Sequence, residues 1–188
     1  MPKDLDRIFK AYDVRGVVPD DLDAPLVRDI GAAFASWSGA SSIVVGRDCR
    51  LSSPELAAAI ADGATYRGVD VVDLGLASTD LLYFASGSMD MPGIMLTASH
   101  NPRQYNGLKF CLAGARPVGE DTGLRDIRAL VEQGSSSDSP RGTVERRDLL
   151  DAYVDHVEPN VRKYLHELGA VDALKWRSVA GRKLQGLW

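Results

Sequence analysis

The stretch Thr97-Ala98-Ser99-His100-Asn101-Pro102 sets a hydroxyl, an imidazole and a carboxamide side by side, directly after the apolar run Gly93-Ile94-Met95-Leu96. Two chemistries use such residues. Hydrolysis by a Ser–His pair needs a base that reaches the hydroxyl and a carboxylate behind the base. Neighbouring side chains on extended backbone point to opposite faces, and no Gly-x-Ser-x-Gly turn is present, so this chemistry is disfavoured. In the second, the serine carries a phosphoryl group, which adds a charge of about −1.5 to −2 and three acceptor oxygens. Such a group needs cationic and amide donors around it, and often a divalent metal. His100, Asn101 and Lys109 are candidates close by in sequence, and Arg15 and Arg47 lie on other loops. Pro102 stiffens the exit of the loop. Ser, Asn and Pro are also ordinary turn formers. The residues alone therefore leave a plain turn and a phosphoryl site both open.

The elements that must position these groups alternate between strands and helices. Phe9–Gly16 reads as a strand entering a turn. A helix follows with Leu26, Ile30, Ala33, Phe34 and Trp37 on one face, stopped by Gly39. Ser42–Gly46 is a short apolar strand. The polar loop after it leads into a helix with Ser53 as N-cap, Pro54 at the first helical position and Glu55 in the first turn, running to about Arg67. Val69–Leu74 is a strand ended by Gly75, and Ser78 or Thr79 caps the next helix. Gly93–Thr97 is the third strand of this series. The expected class is α/β: a layered, mixed, mostly parallel sheet with helices on both faces. Ligands bind such sheets beyond the carboxyl ends of the strands, which is where the loops after Gly46 and Leu96 fall. Asn106-Gly107 reads as the turn of a hairpin-like return through Gly114, with a helix from about Gly119 to Gln133.

Residues 135–142 read as a flexible linker by composition. It separates a first domain, 1–134, from the start of a second α/β domain with an atypical tail, 143–188. In the latter, Leu149, Leu150, Tyr153, Val154 and Val157 suggest an amphipathic helix, interrupted near Pro159. The chain has 188 residues, 45% hydrophobic and 26% charged, with a formal net charge of −4. These values suit an ordinary globular protein and argue against a basic nucleic-acid face, with Glu145–Arg147 as solvated surface. Cys49 and Cys111 cannot form a disulfide framework, lack metal-site spacing, and read as small buried hydrophobes. The charged N-terminus lacks the apolar segment of a signal peptide, and no apolar run approaches the roughly 20 residues of a membrane span. No membrane partner is expected, and the cytoplasm is the expected compartment.

Four motifs in order carry a resemblance: "AYDVRG" at Ala11–Gly16, "VGRDCRLSSPEL" at Val45–Leu56, "TASHNP" at Thr97–Pro102 and "YNGLK" at Tyr105–Lys109. Together they resemble the α-D-phosphohexomutase family, in its phosphomannomutase/phosphoglucomutase branch, over about Phe9–Gly134. Cys49 stands where that family more often has Gly. The resemblance implies that Ser99 is a phosphoserine whose phosphate also ligates Mg²⁺. It implies that Tyr12 and Arg15 line the cleft, and that His100 and Lys109 act as acid/base or charge stabilisers. Asn101 would hold the serine loop. Arg47 would contact substrate, although an Arg after a strand is also a common surface ion-pair partner. The implied reaction moves phosphate between O1 and O6 of a mannose or glucose phosphate, with a hexose 1,6-bisphosphate as intermediate and activator. Family enzymes have four domains, and their "DGDxDR"-like metal loop, "GExSGH"-like sugar loop and C-terminal phosphate-binding domain are not found in this sequence. The expectation is a truncated, impaired mutase, and the alternative a non-catalytic phosphosugar- or partner-binding domain. From Trp176 the tail departs from the expected apolar strand. A frameshift near Lys175 would produce it, and so would a naturally short protein with a divergent tail.

Overall fold

Alternate residues of each central strand enter two different cores, and this decides the architecture. In β2 (Ser42–Arg47), Ile43 and Val45 join Val71, Ile94, Leu96, Leu108 and Phe110 in one buried cluster, which α2 (Ala24–Ser38), α3 (Ser53–Tyr66) and α5 (Leu124–Gln133) cover. Val44 points the other way. It joins Val72, Met95 and Cys111, under Leu82 and Ala85 of α4 (Thr79–Met89). Burial on both faces is the reason the strands lack a polar alternation. Phe34, wholly buried, stacks at a tilt on Phe110 with ring centroids 5.2 Å apart. Each fully buried side chain of this size contributes about 1.5–3 kcal/mol.

The computed structural model describes residues 3–134, 136–137 and 139–167. After the short α1 (Leu5–Ile8) come β1 (Val14–Val17), α2, β2, α3, β3 (Asp70–Leu76), α4, β4 (Gly93–Leu96), β5 (Tyr105–Leu112), β6 (Arg116–Val118), α5, β7 (Val144–Arg146) and α6 (Leu150–Glu167). The sheet order is β1-β5-β4-β2-β3-β7, with β6 also on β5. β2, β3, β4 and β7 pair in parallel, whereas β5 is antiparallel to β1, β4 and β6. It follows that, among the described strands, β5 alone runs against the others. The expected mostly parallel sheet between helical layers is what the chain forms.

Several local expectations change. Residues Phe9–Asp13 bend rather than extend, with one bridge from Phe9 to Val14, and the strand proper starts at Val14. The α3 helix begins at Ser53, and the residue in the N-cap position is Ser52, with no side-chain cap bond. The Ser53 hydroxyl instead donates to Asp48, at 2.6 Å. β3 runs through Gly75 rather than stopping there, with a register shift against β2 that the left-handed φ of 65° at Gly75 accommodates. Asn106 and Gly107 are not a turn. They lie inside β5, paired to β1 on one side, while residues 97–104 make the connection from β4. A 3₁₀ turn, Glu120–Thr122, precedes α5. Cys111 is buried as expected, but Cys49 is exposed.

The stretch after α5 is tied back to the sheet. Arg141 and Arg28 both donate to Asp62, at 2.6 and 2.5 Å, and hold its carboxyl below the usual carboxylate range. The backbone N–H and hydroxyl of Thr143 do the same for Asp70, at 2.7 and 2.8 Å. β7 then pairs with β3, and the division of the chain by packing falls after Leu149. Described by itself, α6 runs without interruption through Pro159 and leaves Val154, Val161 and Tyr164 exposed. The sequence from 168 onward, including the unusual stretch from Trp176, lies outside the described residues. Among the described residues no helix is long and apolar enough to cross a membrane.

Candidate active site

The parallel strands β2 and β4 end side by side in the middle of the sheet, so their loops meet beyond their carboxyl ends. Asp48 N donates to the Leu96 carbonyl at 2.9 Å, which joins the start of one loop to the end of the strand before the other. Ser99 lies at the exposed tip of the second loop with a left-handed φ of 52°. A non-glycine residue there costs of order 1–3 kcal/mol and persists only where its surroundings hold it. The Ser99 N–H donates to the Thr97 hydroxyl at 3.0 Å, and Asn101 N–H to the Ala98 carbonyl at 3.0 Å.

The same backbone conformation corrects one inference drawn from sequence. Ser99 and His100 do not point to opposite faces, because Ser99 is not extended. Its Oγ lies 3.4 Å from His100 Nδ1. That is a long contact, within the range that tightens when a substrate is present. Among the described residues no carboxylate bonds the far side of His100, so the third member of a hydrolytic triad is missing there.

Three of the residues marked in the sequence, Arg15, Lys109 and Asn101, are joined in a network centred on one carboxylate that was not marked. Asp13 is only 6% exposed. It pairs with Arg15 by a short charge-assisted bond and with Lys109 Nζ at 3.6 Å. Arg15 Nη1 in turn donates to the Asn101 side chain at 2.6 Å, inside the serine loop. The register explains the grouping. Val14 faces Leu108 and Arg15 faces Gly107 across the β1–β5 ladder, so Asp13 and Lys109 follow as near neighbours on the same face. Arg15 Nε is buried with no hydrogen-bond partner among the described residues. The result is a pair of cations, held by one shared anion and tied through Asn101 to the loop that carries the exposed Ser99. Such a group suits an oxyanion far better than a neutral ligand.

Tyr12 and Arg47 stand outside this network. Tyr12 is 79% exposed, and its ring lies beside Gly119. Arg47 closes β2, and its guanidinium turns to the Asp48 carbonyl at 3.3 Å. Sequence reasoning passed over two residues besides Asp13. Arg50 reaches across to the serine loop, and Asn106, fully buried, donates to the hydroxyls of Ser52 and Ser53 at 2.9 and 3.0 Å. A carboxamide inside a strand was the available signal for Asn106, since a buried carboxamide must find partners.

Residues 6–138 match the family model described as phosphoglucomutase/phosphomannomutase, alpha/beta/alpha domain I. The chain belongs to this family. A phosphomannomutase of Salmonella montevideo is 43% identical over 153 residues, which is 79% of this chain and 34% of that protein. One of Klebsiella pneumoniae is 42% identical over 151 residues, covering 78% of this chain and 96% of that sequence. A phosphoglucomutase/phosphomannomutase family protein of Burkholderia thailandensis has a TM-score of 0.74 at 37% identity, over 81% of this chain and 35% of that one. The chain thus spans about a third of the length of the Salmonella relative and of the Burkholderia structure.

The family reading implies Mg²⁺ at the serine phosphate, and the described residues do not by themselves fit that ion. Mg²⁺ takes six oxygen ligands in near-octahedral array, usually including one or two carboxylates. Among the described residues no three His, Cys, Asp or Glu side chains gather as a metal group. The carboxylate of the cluster, Asp13, is already shared by Arg15 and Lys109.

Proposed function

We propose that this chain carries the phosphoryl-holding site of a hexose-phosphate mutase, with Ser99 as the residue that gives and recovers the group. In the giving step the P–Oγ bond of phosphoserine breaks and a bond forms to the free hydroxyl at C1 or C6 of the sugar phosphate. The proton of that hydroxyl passes to a base, and the departing Ser99 Oγ gains one to become a free hydroxyl. The product is a hexose 1,6-bisphosphate. In the return step Ser99 Oγ attacks the other phosphorus, its proton goes to the base, and the departing sugar oxygen gains one. His100 is the base candidate, because its Nδ1 lies 3.4 Å from the serine oxygen. A serine hydroxyl is a weak nucleophile without such help.

Lys109 and Arg15 would spread positive charge over the transferring oxygens, with Asn101 keeping Arg15 beside the loop. Phosphoryl transfer depends mainly on positioning and charge stabilisation of this kind. Tyr12 and Arg47 are proposed as sugar-phosphate contacts at the rim. Glucose and mannose phosphates are the substrate class. The observation that carries the reading is the exposed, left-handed Ser99 in a loop tied through Asn101 to the Arg15–Asp13–Lys109 charge group, in a chain of this family.

The test is phosphate capture. The full chain is incubated with glucose 1,6-bisphosphate in a buffer containing Mg²⁺, and its intact mass and phosphopeptides are read. One phosphate, mapped to Ser99, is expected. A folded chain that takes no phosphate overturns the proposal. Calorimetric binding of the bisphosphate without any phosphate on Ser99 would move the non-catalytic phosphosugar-binding reading ahead. In the same assay, Asp13→Asn is expected to slow capture by about 10- to 100-fold, since the two cations lose their common anchor. An unchanged rate would remove Asp13 from this role.

A further inference from the structure

Arg50 has five N–H donors on its guanidinium, and all five are used. Nε donates to the Asp48 carboxylate at 3.1 Å. Nη1 donates to the carbonyls of Pro102 and Tyr105, at 2.9 and 3.0 Å. Nη2 donates to those of Ser99 and Asn101, at 2.8 and 2.9 Å. The second oxygen of Asp48 accepts from the Arg50 backbone N–H at 3.0 Å and from the Ser53 hydroxyl at 2.6 Å, so the anchor is fixed to the start of α3. The side chain is 12% exposed. Four carbonyl dipoles aimed at one point repel each other, and only a planar cation with a fork of donors can collect them. A lysine would bring the charge but only three donors from one atom.

We propose that Arg50 is the positioning residue of the serine loop. It holds the backbone of residues 99–105 and thereby the left-handed conformation that aims the Ser99 hydroxyl. Its donors are spent on carbonyls, so it acts on the phosphate through the loop and not as a phosphate ligand. This inference rests on the reading of Ser99 as the phosphoryl acceptor.

Two readouts on the full chain test it. In the first, amide hydrogen exchange is followed by NMR in wild type, Arg50→Lys and Arg50→Ala. The amides of Ser99, Asn101 and Tyr105, each bonded within the loop, are expected to exchange at least about tenfold faster in both variants, while Val44 and Ile94 in the sheet keep their rates. Loop amides that do not change overturn the proposal. So does an equal acceleration everywhere, which would mark a residue serving stability alone. Arg50→Lys keeps the charge and serves if Arg50→Ala does not fold.

In the second readout, phosphate capture from glucose 1,6-bisphosphate is measured against its concentration. The maximal rate is expected to fall about 100-fold in Arg50→Lys, with little change in the half-saturating concentration. A raised half-saturating concentration at an unchanged maximal rate would make Arg50 a phosphate ligand and overturn the positioning role. A wild-type chain that captures no phosphate would defeat the proposed function, and the exchange experiment would still decide the role of Arg50.

Discussion

Ser99→Ala is expected to abolish phosphate capture outright while leaving the fold intact. The serine is exposed, and among the described residues its hydroxyl makes one long contact, to His100 at 3.4 Å. Removing that oxygen should change stability by no more than about 0.5 kcal/mol, as for other surface substitutions. Alanine is no better suited than serine to a φ of 52°, so the strain in the loop stays as it is. The chemistry has no such tolerance, because without Oγ there is nothing on which the phosphoryl group can rest. Intact-mass measurement after incubation with the bisphosphate, paired with a urea unfolding curve, separates the two effects. Phosphate retained on the Ser99→Ala chain would mean that another residue is the acceptor.

Gly107→Val is expected to cost about 3 kcal/mol and to dismantle the charge group at the same time. Gly107 lies in the middle of β5, opposite Arg15, and its carbonyl accepts from Thr97 N–H at 2.9 Å. A Cβ at this position would sit 2.5 Å from the Val14 carbonyl oxygen and 3.0 Å from that of Thr97. Both are backbone atoms of flanking segments and cannot rotate away. Strand propensity argues the other way, since valine in place of glycine favours a strand by up to about 1 kcal/mol. The steric term is the larger, so the sign of the change decides between the two. Urea unfolding measures it. A variant as stable as wild type would show that β1 can move out without loss. If β1 is displaced, Arg15 leaves Asn101 and Lys109 leaves Asp13, so phosphate capture should fall with stability.

Gly107 also shows where a sequence signal misleads. Asn-Gly is a strong hairpin mark because both residues tolerate left-handed backbone. Here the glycine is needed for close approach of its neighbours, and the asparagine for its buried bonds to Ser52 and Ser53. Pro159 misleads in the same manner. Its local rule predicts a break, and α6 continues through it.

The sequence by itself determined the layered α/β class, the alternation of strands and helices from α2 to β4, and the two loops beyond β2 and β4 that hold the candidate site. These follow from local pattern: apolar runs, helical spacing, capping residues and Gly stops each act over a few neighbouring residues. Ser99, His100, Asn101, Lys109 and Arg15 stood out as candidates, but their residue types alone left a plain turn and a phosphoryl site both open, and the resemblance to the family favoured the second. Only the tertiary structure decided what joins them. Asp13 anchors Arg15 and Lys109 because β1 pairs with β5, a contact between distant parts of the chain. Arg50 holds carbonyls 49 to 55 positions away. Neither role leaves a local mark, since a carboxylate or a guanidinium in a polar loop looks the same whether it meets water or another loop. Chain pairing chooses its partner, and that choice depends on the whole sheet.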